Sequence, residues 1–196
     1  MTVASNFCNF FGRTANRFEV FSSYSPHALN LKYLIEFGIY IHFYNVKLRF
    51  PINSQNLGHH APPRKSFEFL KFELPTRLAN IMQEIKLLPQ SLLNTTSVHE
   101  VLSKYERSFE DLIMYEDGDS SKESVISSFS ETIRTILHRH SNVVESMAKG
   151  ILELKSVYGI SPADENQLQY FLDRFYVNRI GSRVLINQHL YPLAIP

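Results

Sequence analysis

From residue 66 onward the apolar residues of this chain recur every three to four positions, a period that fits packed helices and little else. Leu70, Leu74, Leu78, Ile81, Ile85 and Leu88 share one face of a helix beginning at Ser66, which Pro75 is expected to kink. "SVHE" has capping-box spacing between Ser97 and Glu100 and predicts a second helix through Val101, Tyr105, Phe109 and Leu112. A long third helix, about residues 120 to 158, keeps Ile126, Phe129, Ile133, Ile136, His140, Val144, Met147, Ile151 and Leu154 in register and stops at Gly159. A fourth, opened by Ser161 and Pro162, carries Leu168, Leu172, Phe175, Arg179, Ser182 and Ile186 on one stripe. Ahead of these, Ser25 as cap and Pro26 at the first helical position predict a helix over 25–37, ended by Gly38. The fold class is therefore all-α, a four-helix up-and-down bundle with an extra N-terminal helix. Residues 39–64, aromatic and then rich in turn formers, read as an irregular insertion, and the adjacent His59 and His60 in it make a poor chelate.

Several function classes lose support at this level. The chain has 196 residues, enough for one full core, and 20 Lys+Arg against 19 Asp+Glu leave no basic field for nucleic acid. Its single cysteine, Cys8, excludes an internal disulfide or a thiolate metal cluster. No stretch approaches the ~18 apolar residues of a membrane helix. Glycine-rich phosphate loops and HExxH are absent, so neither nucleotide nor zinc binding has a motif. Residues 1–17 carry two arginines with Ser and Thr and no acid before Glu19, the composition of an organelle-targeting segment.

The remaining chemistry lies in "ILHRHSNVVESMAKG" and on the last helix. Each helical residue turns ~100°, so His138 and His140 point in opposite directions and cannot share a metal. His138 falls with Asn142 and Glu145 on a polar face, whereas His140 falls with Ile133, Ile136, Val144 and Met147 and points inward. A histidine phosphotransfer bundle is disfavoured because an inward ring is closed to a phosphodonor. Arg179 and Arg183 are one turn apart beside Phe175 and Ile186, with Ser182 between them. Such guanidiniums keep their charge and need an anion or water. Two readings stand side by side. In one, His140 is a hydrogen-bonded core residue and the arginines snorkel or pair with Glu73 or Asp111. In the other, His140, Arg179, Arg183 and the hydroxyls of Tyr105 and Ser108 hold a small organic anion, for which the arginine fork suits a carboxylate.

The segments "SFEFLKFELPTRLANIMQEIKLLPQSLL", "SVHEVLSKYERSFEDLIMYED", "RHSNVVESMAKGILELK" and "NQLQYFLDRFYVNRIGSRVLINQHL" resemble the mitochondrial pyruvate dehydrogenase kinases, with the branched-chain 2-oxoacid dehydrogenase kinase more distant. "FSSYSPHALNLKYLIEFG" is similar to that family's opening helix. The resemblance implies a matrix protein-serine kinase that phosphorylates and inactivates the decarboxylase component of the pyruvate dehydrogenase complex. It also implies a regulatory helical domain over 18–190, interrupted at 39–64, with a divergent tail at 191–196. The ATP-binding domain, which uses ATP and magnesium in the intact family, has no counterpart among these residues. The chain is accordingly expected to hold no cofactor, to contain no catalytic residue, to be a monomer, and not to transfer phosphate.

Two family sites map onto it. A pocket for pyruvate-like anions implies Leu78, Tyr105, Ser108, Ile136, His140, Arg179, Ser182, Arg183 and Ile186, with Leu137 where the family commonly has arginine. A pocket for the lipoyl group of the acyltransferase core implies Leu29, Leu34, Phe37 and Phe69. An alternative expectation is a non-catalytic module that binds lipoyl domains or a 2-oxoacid in competition with the intact kinase.

Overall fold

The computed structural model describes residue 14, 16–28, 63–159 and 162–190, and among these the regular elements are all helices. After a helical segment at 16–23 come α1 (Pro63–Lys86), α2 (Gln90–Leu93), α3 (Thr96–Ile113), α4 (Glu123–Arg139), α5 (Val143–Tyr158) and α6 (Pro162–Leu190). The apolar stripes meet as the spacing requires: α1 packs on α3 and α6, α3 on α4 and α5, and α4 on α6. Phe67, Tyr105, Phe109, Phe129 and Phe175 are fully buried at the centre. Phe18 and Phe21 set their rings edge-to-face on Phe109, at 6.0 and 5.9 Å, which fastens the 16–23 segment to α3.

Four expectations are corrected. The helix predicted over 25–37 does not begin at Ser25 or Pro26, because residues 25–28 are not helical. Their polar backbone is spoken for by α1: the His27 amide donates to Glu73 Oε1 at 3.1 Å and the Arg77 guanidinium donates to the His27 carbonyl. Residues 29–38 of that prediction, and 39–62 of the insertion, lie outside the described residues. The last two insertion residues, Pro63 and Arg64, instead open α1, where proline fits the first turn, and the helix runs on through Pro75.

Ser97 and Glu100 form no capping box. Ser97 lies inside the first turn of α3, and its hydroxyl donates to Glu153 Oε1 of α5 at 2.7 Å. Glu100 pairs with Lys104 one turn on. The N-terminus of α3 thus receives a carboxylate from another helix, an arrangement local spacing does not reveal. The two helices approach so closely there that a Cβ on Gly150 would stand 2.5 Å from Val98 Cγ2.

The long helix expected over 120–158 is broken in two. The chain turns at 140–142, with His140 at φ −89°, ψ 10° closing α4 and Asn142 at φ −103°, ψ 10° opening α5. Serine and asparagine are weak helix formers that favour turns, Asn142 Oδ1 here accepting from Lys104 Nζ at 2.8 Å, and the apolar pattern on either side conceals the break. Gly159, at φ 72°, ends α5 in a conformation that glycine tolerates.

Candidate functional site

The break places His140 on the inner wall of a cavity between α1, α3, α4 and α6. Leu78, Tyr105, Ile136, His140, Arg179, Ser182, Arg183 and Ile186 all line it. Leu137, noted at the pocket as standing in place of the family's arginine, lines it too, as do Leu74, Ile81 and Leu112, which the reading of the sequence left out. Leu74 and Ile81 flank Leu78 on the same α1 stripe, so the helical period carried the signal for them. The cavity volume is about 20 Å³, room for roughly one water.

Ser108 stands behind the wall. It is fully buried, and its hydroxyl donates to the Lys104 carbonyl at 2.8 Å, leaving its oxygen to accept from Arg139 Nη1 at 2.8 Å and His140 Nε2 at 2.9 Å. The Lys104 carbonyl, an acceptor only, also lies 3.4 Å from Nε2, so that nitrogen carries the proton and Nδ1 is the ring's acceptor. Burial pushes the His140 pKa down to about 4, with Arg139 and Arg179 adding to the effect, so the ring is neutral at pH 7. His138 is exposed, as its opposite direction requires.

The two carboxylates considered for the arginines are engaged elsewhere. Glu73 holds Arg77 Nε at 2.8 Å and His27 Nδ1 at 2.7 Å, and Asp111 holds Arg139 Nη2 at 2.7 Å. Arg179 instead reaches only carbonyl oxygens, those of His140 at 3.3 Å and Ser141 at 3.5 Å. Three buried atoms at the cavity have no partner: Arg179 Nε, Arg183 Nη1 and Tyr105 Oη. Burial raises the Tyr105 pKa, so its hydroxyl stays protonated, and desolvation together with Arg183 lowers that of Arg179. Two half-buried guanidiniums and a buried phenol thus line one cavity, with no carboxylate partner for Arg179 or Arg183 among the described residues.

The lipoyl positions are not assembled among the described residues. Leu29, Leu34 and Phe37 lie outside them, and Phe69 is half-buried on α1, edge-to-face with the His27 ring at 5.6 Å. A second buried histidine, His189, escaped the reading of the sequence altogether. It receives Ser66 Oγ at Nδ1, 2.8 Å away, and faces Ser130 Oγ through Nε2 at 3.0 Å. No group of three or more His, Cys, Asp or Glu that could hold a metal occurs among the described residues.

Comparison with known proteins identifies the family. Residues 44–192 match the family model described as mitochondrial branched-chain alpha-ketoacid dehydrogenase kinase. Pyruvate dehydrogenase (acetyl-transferring) kinase isozyme 4 of Rattus norvegicus is 43% identical over 179 residues, which is 91% of this chain and 39% of the relative. The human isozyme 4 is 42% identical over the same shares. The probable mitochondrial pyruvate dehydrogenase kinase of Caenorhabditis elegans is 41% identical over 92% of this chain and 40% of its own length. The chain thus spans about two-fifths of the length of these relatives. With three-quarters of its residues inside the family match, the chain belongs to the mitochondrial pyruvate and branched-chain 2-oxoacid dehydrogenase kinase family, whose N-terminal helical domain it carries.

Proposed function

We propose that this chain is the regulatory helical domain of a matrix protein-serine kinase that acts on the decarboxylase component of the pyruvate dehydrogenase complex, and that it senses a pyruvate-like anion. The observation that carries the reading is the set of orphaned buried donors, Arg179 Nε, Arg183 Nη1 and Tyr105 Oη, around one cavity. A carboxylate supplies what they lack, taking a guanidinium fork and a phenol hydroxyl. The apolar wall of Leu74, Leu78, Ile136 and Ile186 suits the short carbon tail, and neutral His140 adds an acceptor for a hydroxyl or water beside it. Leu137, half-buried in this wall, puts no charge there, so recognition rests on Arg179 and Arg183.

For ATP and magnesium, neither a sequence motif nor a cluster of ligands among the described residues offers a place. There is no glycine-rich phosphate loop, and the described residues offer no cluster of metal ligands. No phosphoryl-transfer step is therefore assigned to this chain's side chains, whose role is sensing. The acyltransferase core's lipoyl domain is the partner the family resemblance supplies, through Leu29, Leu34, Phe37 and Phe69.

Calorimetric titration with pyruvate tests the reading. Saturable binding that weakens with salt and is lost in Arg183→Met is expected. Absence of binding, or undiminished binding by Arg183→Met, would sink it.

A further inference from the structure

A cavity with room for roughly one water cannot take even a three-carbon carboxylate until a wall moves. Most of the wall is fixed. Tyr105 is wedged between the His140 ring at 4.5 Å and Phe175 at 6.1 Å, and His140 is tied to Ser108. Arg179 is the loosely held piece. Only its Nη2 has acceptors, at 3.3 and 3.5 Å, beyond the usual length for such bonds, while its Nε is buried and idle. Those acceptors are the carbonyls of His140 and Ser141, at the end of α4 where intrahelical donors have run out.

We infer that Arg179 is a latch across the α4–α5 junction: an anion entering the cavity draws the guanidinium off the His140 and Ser141 carbonyls and so loosens the turn at 140–142. The inference rests on the anion reading of the cavity and adds its conformational output. The carbonyls are neutral, single-point acceptors at long range, whereas a carboxylate offers a charged, two-point acceptor that also engages the idle Nε. Leaving them returns the end of α4 to water. The loosened turn leads directly into α5, which carries Gly150 and Glu153 against the start of α3. Occupancy of a small interior site is thereby delivered to the α3–α5 face.

Amide hydrogen exchange on the full 196-residue chain, with and without pyruvate, reads the junction through Ser141 and Ser146, whose amides bond the His138 and Asn142 carbonyls at 3.0 Å each. Calorimetry on the same samples reports binding independently. Pyruvate should accelerate exchange over residues 141–146 by about threefold to tenfold, the range one lost hydrogen bond gives. Arg179→Lys, which keeps the charge but loses the fork, should show that acceleration without pyruvate. Binding with junction exchange unchanged or slowed overturns the latch and leaves the anion site standing. Ordinary junction exchange in ligand-free Arg179→Lys also overturns it. If no binding is seen, both the latch and the anion site fall.

Discussion

Among the described residues two histidines are buried, and their surroundings differ in a way that separates a structural network from the proposed recognition site. His189 of α6 is saturated: Ser66 of α1 engages Nδ1, Ser130 of α4 engages Nε2, and the Phe129 ring stands edge-on at 5.5 Å. Ser130 already donates to the Ile126 carbonyl at 2.7 Å, so Nε2 is the protonated nitrogen and Ser66 donates to Nδ1. Every polar atom of that trio has a partner. His140 is tied at one nitrogen only, beside a cavity edged by three orphaned donors. A closed network holds three helices together; the open one is what the proposed anion would complete.

The largest effect that can break this comparison is acid. Burial holds both rings at about 4, below the ordinary 6.5. The folded state therefore binds fewer protons than the unfolded one, stability is fully present above pH 6.5, and it is lost as pH falls toward 4. Each histidine contributes up to about 3 kcal/mol across that window, the size of its shift. Urea midpoints taken between pH 7 and pH 4 should fall continuously. The comparison sharpens when pyruvate is added: the His140 titration should move up, because an anion favours the charged ring, while that of His189 stays in place. Histidine NMR titrations that move together would mean that the two sites are not distinct.

Next in size is the closed network itself. His189→Ala should cost about 3 kcal/mol, combining a lost ring with stranded serine hydroxyls, with pyruvate binding unchanged. Chemical denaturation checks the first part and calorimetry the second. A loss of binding alone would put recognition at the wrong histidine.

These two histidines also show what the sequence discloses. The apolar period placed the core and brought Tyr105, His140, Arg179 and Arg183 to one interior, because helical geometry converts spacing directly into a shared face. It gave no warning of the turn at 140–142, since the apolar positions continue on both sides and only Ser141 and Asn142 mark the place. The direction assigned to His140 survives because the break comes at that residue and not before it. His189 stayed hidden for another reason. Its partners are 123 and 59 positions away, and no local pattern reports a contact that only tertiary packing creates. Glu153 serving Ser97 across 56 residues is the same limitation at a helix terminus.

At the open network the expected signs reverse. Arg183→Met replaces a guanidinium whose Nη1 is buried and idle with an apolar chain of similar reach. Stability should hold or rise by about 1 kcal/mol, and pyruvate affinity should fall by at least about tenfold, one charge-assisted hydrogen bond's worth. Thermal unfolding and calorimetry on the same protein give both numbers. A fall in stability would mean that Arg183 has a structural partner, and the contrast with His189 would vanish.

The smallest effect is the most discriminating, because it alters one atom. Tyr105 Oη is buried with no partner among the described protein groups, so the folded protein bears the cost of taking a hydroxyl out of bulk water without a protein hydrogen bond to offset it. Tyr105→Phe removes that cost and leaves the ring's packing on His140 and Phe175 in place. The ligand-free domain should therefore become more stable by about 1 kcal/mol, whereas pyruvate, which in the proposed reading supplies the missing acceptor, should bind several-fold more weakly. Tyrosine-to-phenylalanine changes at satisfied hydroxyls destabilise, so the sign of the shift is itself the evidence. A loss of stability in urea titrations would mean that the phenol is already bonded inside the cavity, and the open network would prove as closed as the one around His189.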